Sequence, residues 1–284
     1  MKGASSHGTA AADAAERPTC REVALALETW APPALAERWD NSGWMCGDPD
    51  RPVTGIRVCL DVTPDRVAEA AQAGENLIVS HHPPLFAPLR SVTADTREGR
   101  LAGMCWRTGV QVYSAHTNFD AAPGGLADLL AAALGLVEPA PFPGPMSEGL
   151  MGRARVGRLP EPVDPCGFLD LLSRCLVVTA PRIIGRLPER IARVASQNGA
   201  YDEALLPFLA ANPPDVLVAG DVKYHDALDL AQAGIPVADC GHFPTERMFV
   251  PAVVRWLSAR FPAVPVHAAA EEDVYADARL YTAR

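Results

Sequence analysis

The segment Asn76-Leu77-Ile78-Val79-Ser80-His81-His82-Pro83 is an apolar run of strand length that stops in two adjacent imidazoles and a proline. Two other segments end alike. Val110 to Ala115 leads into His116-Thr117-Asn118-Phe119-Asp120, and Ile235 to Cys240 leads into Gly241-His242-Phe243-Pro244-Thr245-Glu246. In open α/β sheets, ligands gather beyond the carboxyl ends of the strands. Three distant strands that all end in His and carboxylate therefore constrain the chain to sheets that bring those ends to one crevice.

The intervening segments supply the helices such sheets need. Ile56 to Asp61 reads as a buried strand, and Thr63-Pro64 gives the N-cap and first position of a helix that stops at Gly74. A helix from about Asp95 ends near Gly109, and another runs from about Pro123 to Gly135. Parallel strands require such crossovers. Glu138-Pro139-Ala140-Pro141-Phe142-Pro143-Gly144-Pro145 breaks every periodicity and reads as an extended connection. The expected organisation is a disordered tail over 1–18, a first lobe over 19–137 completed by about 235–284, a Pro-rich linker at 138–145, and a second, smaller lobe over 146–234. In that second lobe Gly149 to Val156, Arg190 to Ala195 and Asp215 to Gly220 read as strands, with helices from Asp164-Pro165, from about Tyr201 and around His225 to Ala233. One helix from about Thr245 to Arg260 follows the last apolar strand. The fold class is α/β: two α/β lobes with mixed, largely parallel sheets and a metal site in the cleft between them.

Composition narrows the partners. The 284 residues carry a net charge of -9 and no clustered basic footprint, which points away from nucleic acid. The longest apolar stretches fall well short of the roughly 20 residues that span a bilayer. No apolar signal core follows Lys2, so cytoplasmic residence is expected. The seven cysteines are odd in number, dispersed and without a Cys-x-x-Cys pair, and read as reduced core thiols rather than zinc ligands or nucleophiles.

Neighbouring side chains on a regular strand point to opposite faces, so His81 and His82 reach one site only where the strand has ended, an ending Pro83 enforces. Such a pair suits two metals, each imidazole addressing its own ion. His242 and Glu246 share a helix face if the helix starts near His242. Asp120 adds a carboxylate. His116 either orients Asp120 or a bound water, or is itself a ligand. His and carboxylate donors without thiolate suit Zn, Mn, Fe, Co or Ni. Two such ions roughly 3.5–4 Å apart activate a bridging water and clamp a phosphoryl or carbonyl oxygen. His7 and His267 read as tail and surface residues, and Asp40-Asn41-Ser42-Gly43 as turn chemistry, with Asp40 and Asn41 either structural or supporting a metal ligand from behind. Gly124-Gly125 is a turn more readily than a phosphate cradle, and Walker, dinucleotide and Gly-x-Ser-x-Gly motifs are absent from the sequence.

Five motifs together carry a resemblance: Trp39-Asp40-Asn41-Ser42-Gly43-Trp44 with Gly47-Asp48-Pro49, Ser80-His81-His82-Pro83, His116 to Asp120, Gly220-Asp221-Val222-Lys223-Tyr224-His225-Asp226, and Gly241-His242 with Thr245-Glu246. The chain resembles the dinuclear-metal proteins called GTP cyclohydrolase 1 type 2 homologues, or the NGG-interacting-factor-three-like family, in a compact form without the domain that longer members insert. The resemblance implies two divalent metal ions per chain held by His81, His82, Asp120, His242 and Glu246, with Glu246 as a bridge. It also implies His116 and His225 in the same cleft, where either could shuttle protons, and assembly with itself into a toroidal hexamer. Ser196-Gln197-Asn198-Gly199 departs from the glycine-rich turn common in relatives. The function expected is metal-dependent hydrolysis of a nucleotide-like or other small polar substrate through a metal-bound hydroxide. The alternative is a non-catalytic protein that stores, delivers or senses metal, or an oligomeric scaffold.

Overall fold

Capping chemistry sets the helix ends. In the computed structural model, which describes residues 17–141, 150–178 and 180–275, the Thr19 side chain accepts the Glu22 N–H while Glu22 reaches back to Thr19, opening α1 (Cys20–Trp30). Thr63 caps α2 (Pro64–Gln72), whose first residue is the proline that fits there. Thr96 caps α3 (Arg97–Thr108), and Gly109 ends it with φ of 73°, a left-handed conformation glycine adopts without strain. The expected tail lies outside the described residues as far as residue 16.

The chain divides into two compact units. The first joins the segment ending at Pro33 to Asp40–His116 and Val250–Ala270. Its sheet contains β1 (Gly43–Cys46), β2 (Ile56–Cys59), β3 (Leu77–Ser80), β4 (Gln111–Ser114) and the last strand, β11 (Val266–Ala268), in the order β1-β4-β3-β2-β11. Every pairing is parallel except β1 with β4. Cys59, Ile78 and Val112 pack with Val67 and Ala70 of α2 and with Leu101 and Cys105 of α3. Tyr113 donates its hydroxyl to Glu28 of α1, and Trp30 of α1 stacks on Trp256 at 5.6 Å between ring centroids.

The second unit joins Ala34–Trp39, Thr117–Phe249 and the segment from Glu271. Its strands are β5 (Val137–Ala140), β6 (Ala154–Val163), β7 (Arg182–Ile184), β8 (Ile191–Ala200), β9 (Val216–Gly220) and β10 (Val237–Asp239), in the order β5-β6-β8-β9-β10-β7. Only β8–β9 and β9–β10 pair in parallel, so this sheet is mixed. Val194, Val216, Val218 and Ala238 join one core with Leu130 of α5 (Leu126–Ala133) and Phe168 and Leu172 of α6 (Pro165–Leu176). Their neighbours Ala195, Leu217, Ala219 and Val237 join another with Leu209 of α7 (Leu206–Ala211) and Leu230 of α8 (Tyr224–Gln232). Both faces being covered, these strands read as continuous apolar runs instead of alternating ones.

Several expectations differ from this structure. The stretch taken as a linker at 138–145 begins inside β5, which pairs with β6, while 142–145 lie outside the described residues. Pro139 is tolerated because β5 is an edge strand and the register slips between Val137 and Ala140. The units therefore part at His116/Thr117, and 117–137 and 235–249 belong with the second unit, which holds the larger sheet. Tyr201 precedes a 3-10 turn at Glu203–Leu205, and the strand expected from Gly149 starts at Ala154. The helix expected over Thr245 to Arg260 is two: α9 (His242–Glu246) and α10 (Phe249–Arg260), with Pro251 in the first turn of the latter, where its missing N–H does no harm. A short helix not read from the sequence, α4 (Thr117–Ala121), follows β4.

Candidate metal centre

In the first unit, three imidazoles meet just beyond the sheet. The regular strand β3 ends at Ser80, although His81 N–H and His82 N–H still donate to Cys59 and Leu60 carbonyls at 3.0 and 2.9 Å. The rings of His81 and His82 are 4.9 Å apart, so the side chains that a regular strand would have sent to opposite faces share one place. His116 arrives from the end of β4, its ring 5.2 Å from His81 and 5.6 Å from His82. One ligand atom from each of the three lies within 4.8 Å of the other two. His81 is fully buried, whereas the His82 and His116 side chains keep 23% and 15% exposure.

Each of these rings is oriented through Nδ1. His81 Nδ1 lies 2.9 Å from the Ala115 carbonyl, which can only accept, so the proton sits on Nδ1 and the Nε2 lone pair is available. His82 Nδ1 faces Asp61 at 3.0 Å and His116 Nδ1 faces Asp40 at 2.7 Å. Asp40 is itself held by Ser42, whose hydroxyl donates to it at 2.6 Å and accepts the His116 N–H at 3.3 Å.

In the second unit, His242 opens α9 and Glu246 closes it. Their side chains meet on one face, Nε2 to Oε2, at 3.0 Å. His242 repeats the pattern, its Nδ1 2.9 Å from Asp221. Asp221 occupies a left-handed conformation at φ of 47°, which short polar side chains tolerate. Asp120, on α4, is buried and accepts a hydrogen bond from Asn198 Nδ2 at 2.8 Å. Three residues lie between Ser196 and Ala200 of β8 where one lies between their partners Val218 and Gly220 of β9. That bulge carries Asn198 and Gly199. Gly199, at φ of +65°, passes so near the acid that an added Cβ would sit 2.2 Å from Glu246 Oε1 and 3.3 Å from His242 Nε2. Its N–H donates to Thr245 Oγ1 at 3.0 Å.

These residues fit divalent ions. Four imidazoles each have Nδ1 held by a carbonyl or carboxylate, the arrangement that fixes the tautomer and raises the basicity of a metal-binding Nε2. His81, His82, His116, Asp120, His242 and Glu246 all fall in His and carboxylate groups that could hold a metal ion. His225 does not. It is exposed in the first turn of α8, its ring 5.4 Å from that of Tyr224. Sequence reasoning missed Asp61 and Asp221 as orienting groups, read Asp40 as a turn residue or a support for a ligand, which it is for His116, and saw Ser196 to Gly199 as a departure when Asn198 and Gly199 lie against Asp120 and Glu246. All seven cysteines are free, and burial pushes Cys240 up to about 12 and Cys20 up to about 11.

The family described as Duf34/NIF3 (NGG1p interacting factor 3) matches residues 18–273, a span that includes every one of these donors. The chain belongs to the Duf34/NIF3 family. Two relatives, each named GTP cyclohydrolase 1 type 2 homolog, come from Clostridium perfringens and Streptomyces coelicolor. The first is 33% identical over 220 residues, 78% of this chain and 84% of the relative. The second is 32% identical over 236 residues, 81% of this chain and 82% of the relative. Among solved structures, a Bacillus cereus protein related to NIF3 superposes with a TM-score of 0.82 over 92% of this chain and 99% of its own, at 23% identity. That likeness establishes a Duf34/NIF3 fold. The family drawn from the sequence motifs and the two-sheet α/β class are thereby borne out. Among the described residues, no helix is long and apolar enough to cross a membrane.

Proposed function

We propose that this Duf34/NIF3 chain is a metal-dependent hydrolase that binds two divalent ions through His81, His82, Asp120, His242 and Glu246 and acts on a small polar or nucleotide-like substrate. The observation that carries the reading is the meeting of His81, His82 and His116, one ligand atom from each within 4.8 Å of the others, with every Nδ1 held by a carbonyl or carboxylate so that Nε2 is the nitrogen presented. Zn, Mn, Fe, Co and Ni all suit the donors. Ions held there would supply Lewis acidity, polarising water and a substrate oxygen. Hydrolysis is favoured over storage because the donors differ in exposure. His81, Asp120 and Glu246 are buried, while His82 and His242 keep 23% and 33% exposure, so each unit offers a donor that substrate can reach.

Within this reading the protein's own groups have distinct tasks. Asn198 and Asp40 hold Asp120 and His116 in place. His116, with Nδ1 tied to Asp40, takes a proton of the attacking water at Nε2 and returns it to the leaving group. His225 lacks an orienting acceptor among the described residues and is the weaker choice of shuttle. Self-assembly into a toroidal hexamer belongs to the same proposal, with light scattering as its test.

The deciding experiment is elemental analysis after reconstitution with each metal, followed by a screen of phosphoester, amide and GTP turnover. Two ions per chain are expected, with at least one lost in Glu246→Ala while circular dichroism stays native. A stoichiometry of one or less with every metal overturns the dinuclear reading. Two ions without turnover of any substrate class turns the assignment to metal storage or delivery.

A further inference from the structure

Next to the three imidazoles, and within the same unit, a cavity of about 460 Å³ is lined by Asp61, His82, Phe86, Leu89, Arg97 and Glu98, with Pro83, Pro84 and Pro88 in its wall. That volume falls in the range of small-molecule sites, about 300–1,000 Å³. The prolines lock their own φ angles, so the wall is preformed and loses little freedom when a ligand enters. Phe86 is 52% exposed, and it meets His116 edge-to-face with ring centroids 6.4 Å apart, so one of its edges rests on that imidazole. Arg97, in the first turn of α3, is exposed and has no carboxylate partner among the described residues. An entering anion would therefore displace no protein carboxylate from the guanidinium.

We propose that this cavity binds an aromatic or heteroaromatic ring carrying a single anionic group, the ring resting on Phe86 and Leu89 and the anion on Arg97. The charge inventory sets the number of anions. Asp61 and Glu98 bring two carboxylates to the lining against one guanidinium, which disfavours a polyanion. Because His82 lines the same cavity, a bond next to such a ring would lie beside the candidate metal donors. The catalytic meaning of the cavity rests on the metal-dependent reading above, but its capacity to bind a ring does not.

The test uses benzenesulfonate, whose sulfonate is a poor metal ligand, against methanesulfonate, benzyl alcohol and benzene-1,3-disulfonate. Binding is followed by calorimetry or saturation-transfer NMR on the full chain, both metal-loaded and chelator-treated. Benzenesulfonate is expected to bind about fivefold or more tightly than either single-feature probe and no more weakly than the disulfonate. Phe86→Ala and Arg97→Ala should each weaken it by about 3- to 10-fold, with Phe86→Tyr restoring the ring contact and Arg97→Lys part of the charge contact. Equal binding of all four probes, or undiminished binding in both alanine variants with native melting, overturns the proposal. Binding that disappears on chelation assigns the probe to the metals and overturns it as well. If metal content proves to be one or less while the ring-plus-anion preference stands, the dinuclear reading fails and the cavity survives.

Discussion

Gly199→Ala separates the cost of backbone strain from damage to the Glu246 carboxylate. Gly199 sits at φ of +65°, and the added methyl would lie 2.2 Å from Glu246 Oε1. The left-handed conformation alone costs an alanine roughly 1–2 kcal/mol. The carboxylate must also retreat by about 1 Å to reach ordinary van der Waals distance. Metal–ligand distances tolerate about 0.2 Å, so Glu246 could not keep its place in a coordination shell. Gly234→Ala is the control, because Gly234 has nearly the same φ, +70°, and nothing within 4 Å of the added Cβ. Urea unfolding of metal-free protein should show a loss of roughly 1–2 kcal/mol for Gly234→Ala and the same or somewhat more for Gly199→Ala. Metal affinity, read by competition with a chromogenic chelator, should fall about 10- to 100-fold only in Gly199→Ala, the scale found when a ligand's support is removed. Equal metal affinity in the two variants would refute the argument that Gly199 makes room for a liganding carboxylate.

Asp221→Asn replaces the acceptor that orients His242 Nδ1, and chelator competition should show metal affinity lower by about 10- to 100-fold with the secondary structure unchanged. Asn198→Ala leaves Asp120 without its amide donor and is expected to weaken metal binding on the same scale, whereas Asn198→Ser, which keeps a donor, should lose less. Chelation should lower the melting temperature, and adding free metal at about 100 times its dissociation constant should restore about 2.7 kcal/mol; a melting temperature indifferent to metal would count against a built site. Native protein treated with iodoacetamide at pH 8 should label exposed Cys166 and spare Cys20 and Cys240, because thiols pushed up to about 11 and 12 are ionised to about one part in a thousand or less there. Peptide mass analysis reads the pattern.

The elements whose signals are local were legible in the chain. Thr63-Pro64 and Gly109 set helix ends through contacts within a few residues, and the structure places those ends where the sequence put them; the helix expected from about Asp95 starts at Arg97, capped by Thr96. His81, His82, His116 and His242 were identifiable because each follows directly on a strand-length apolar run, and the strands do end there. The spacing of His242 and Glu246 placed them on one face for the same reason, one helical turn. Other features had no local signal. Pro139 reads as a linker residue until β6 supplies the partner that makes β5 an edge strand. Asp61, Asp40 and Asp221 are ordinary acidic residues until the fold sets them 21, 76 and 21 positions from the imidazoles they orient. Gly199 is one glycine among 22 until a bulge in β8 brings it against Glu246. The sequence by itself determined which atoms could serve as donors and where strands and helices stop, because those depend on covalent chemistry and short-range backbone sterics. Only the tertiary structure decided which nitrogen each imidazole presents and which glycine leaves space, because those depend on groups that chain folding alone brings within hydrogen-bond reach.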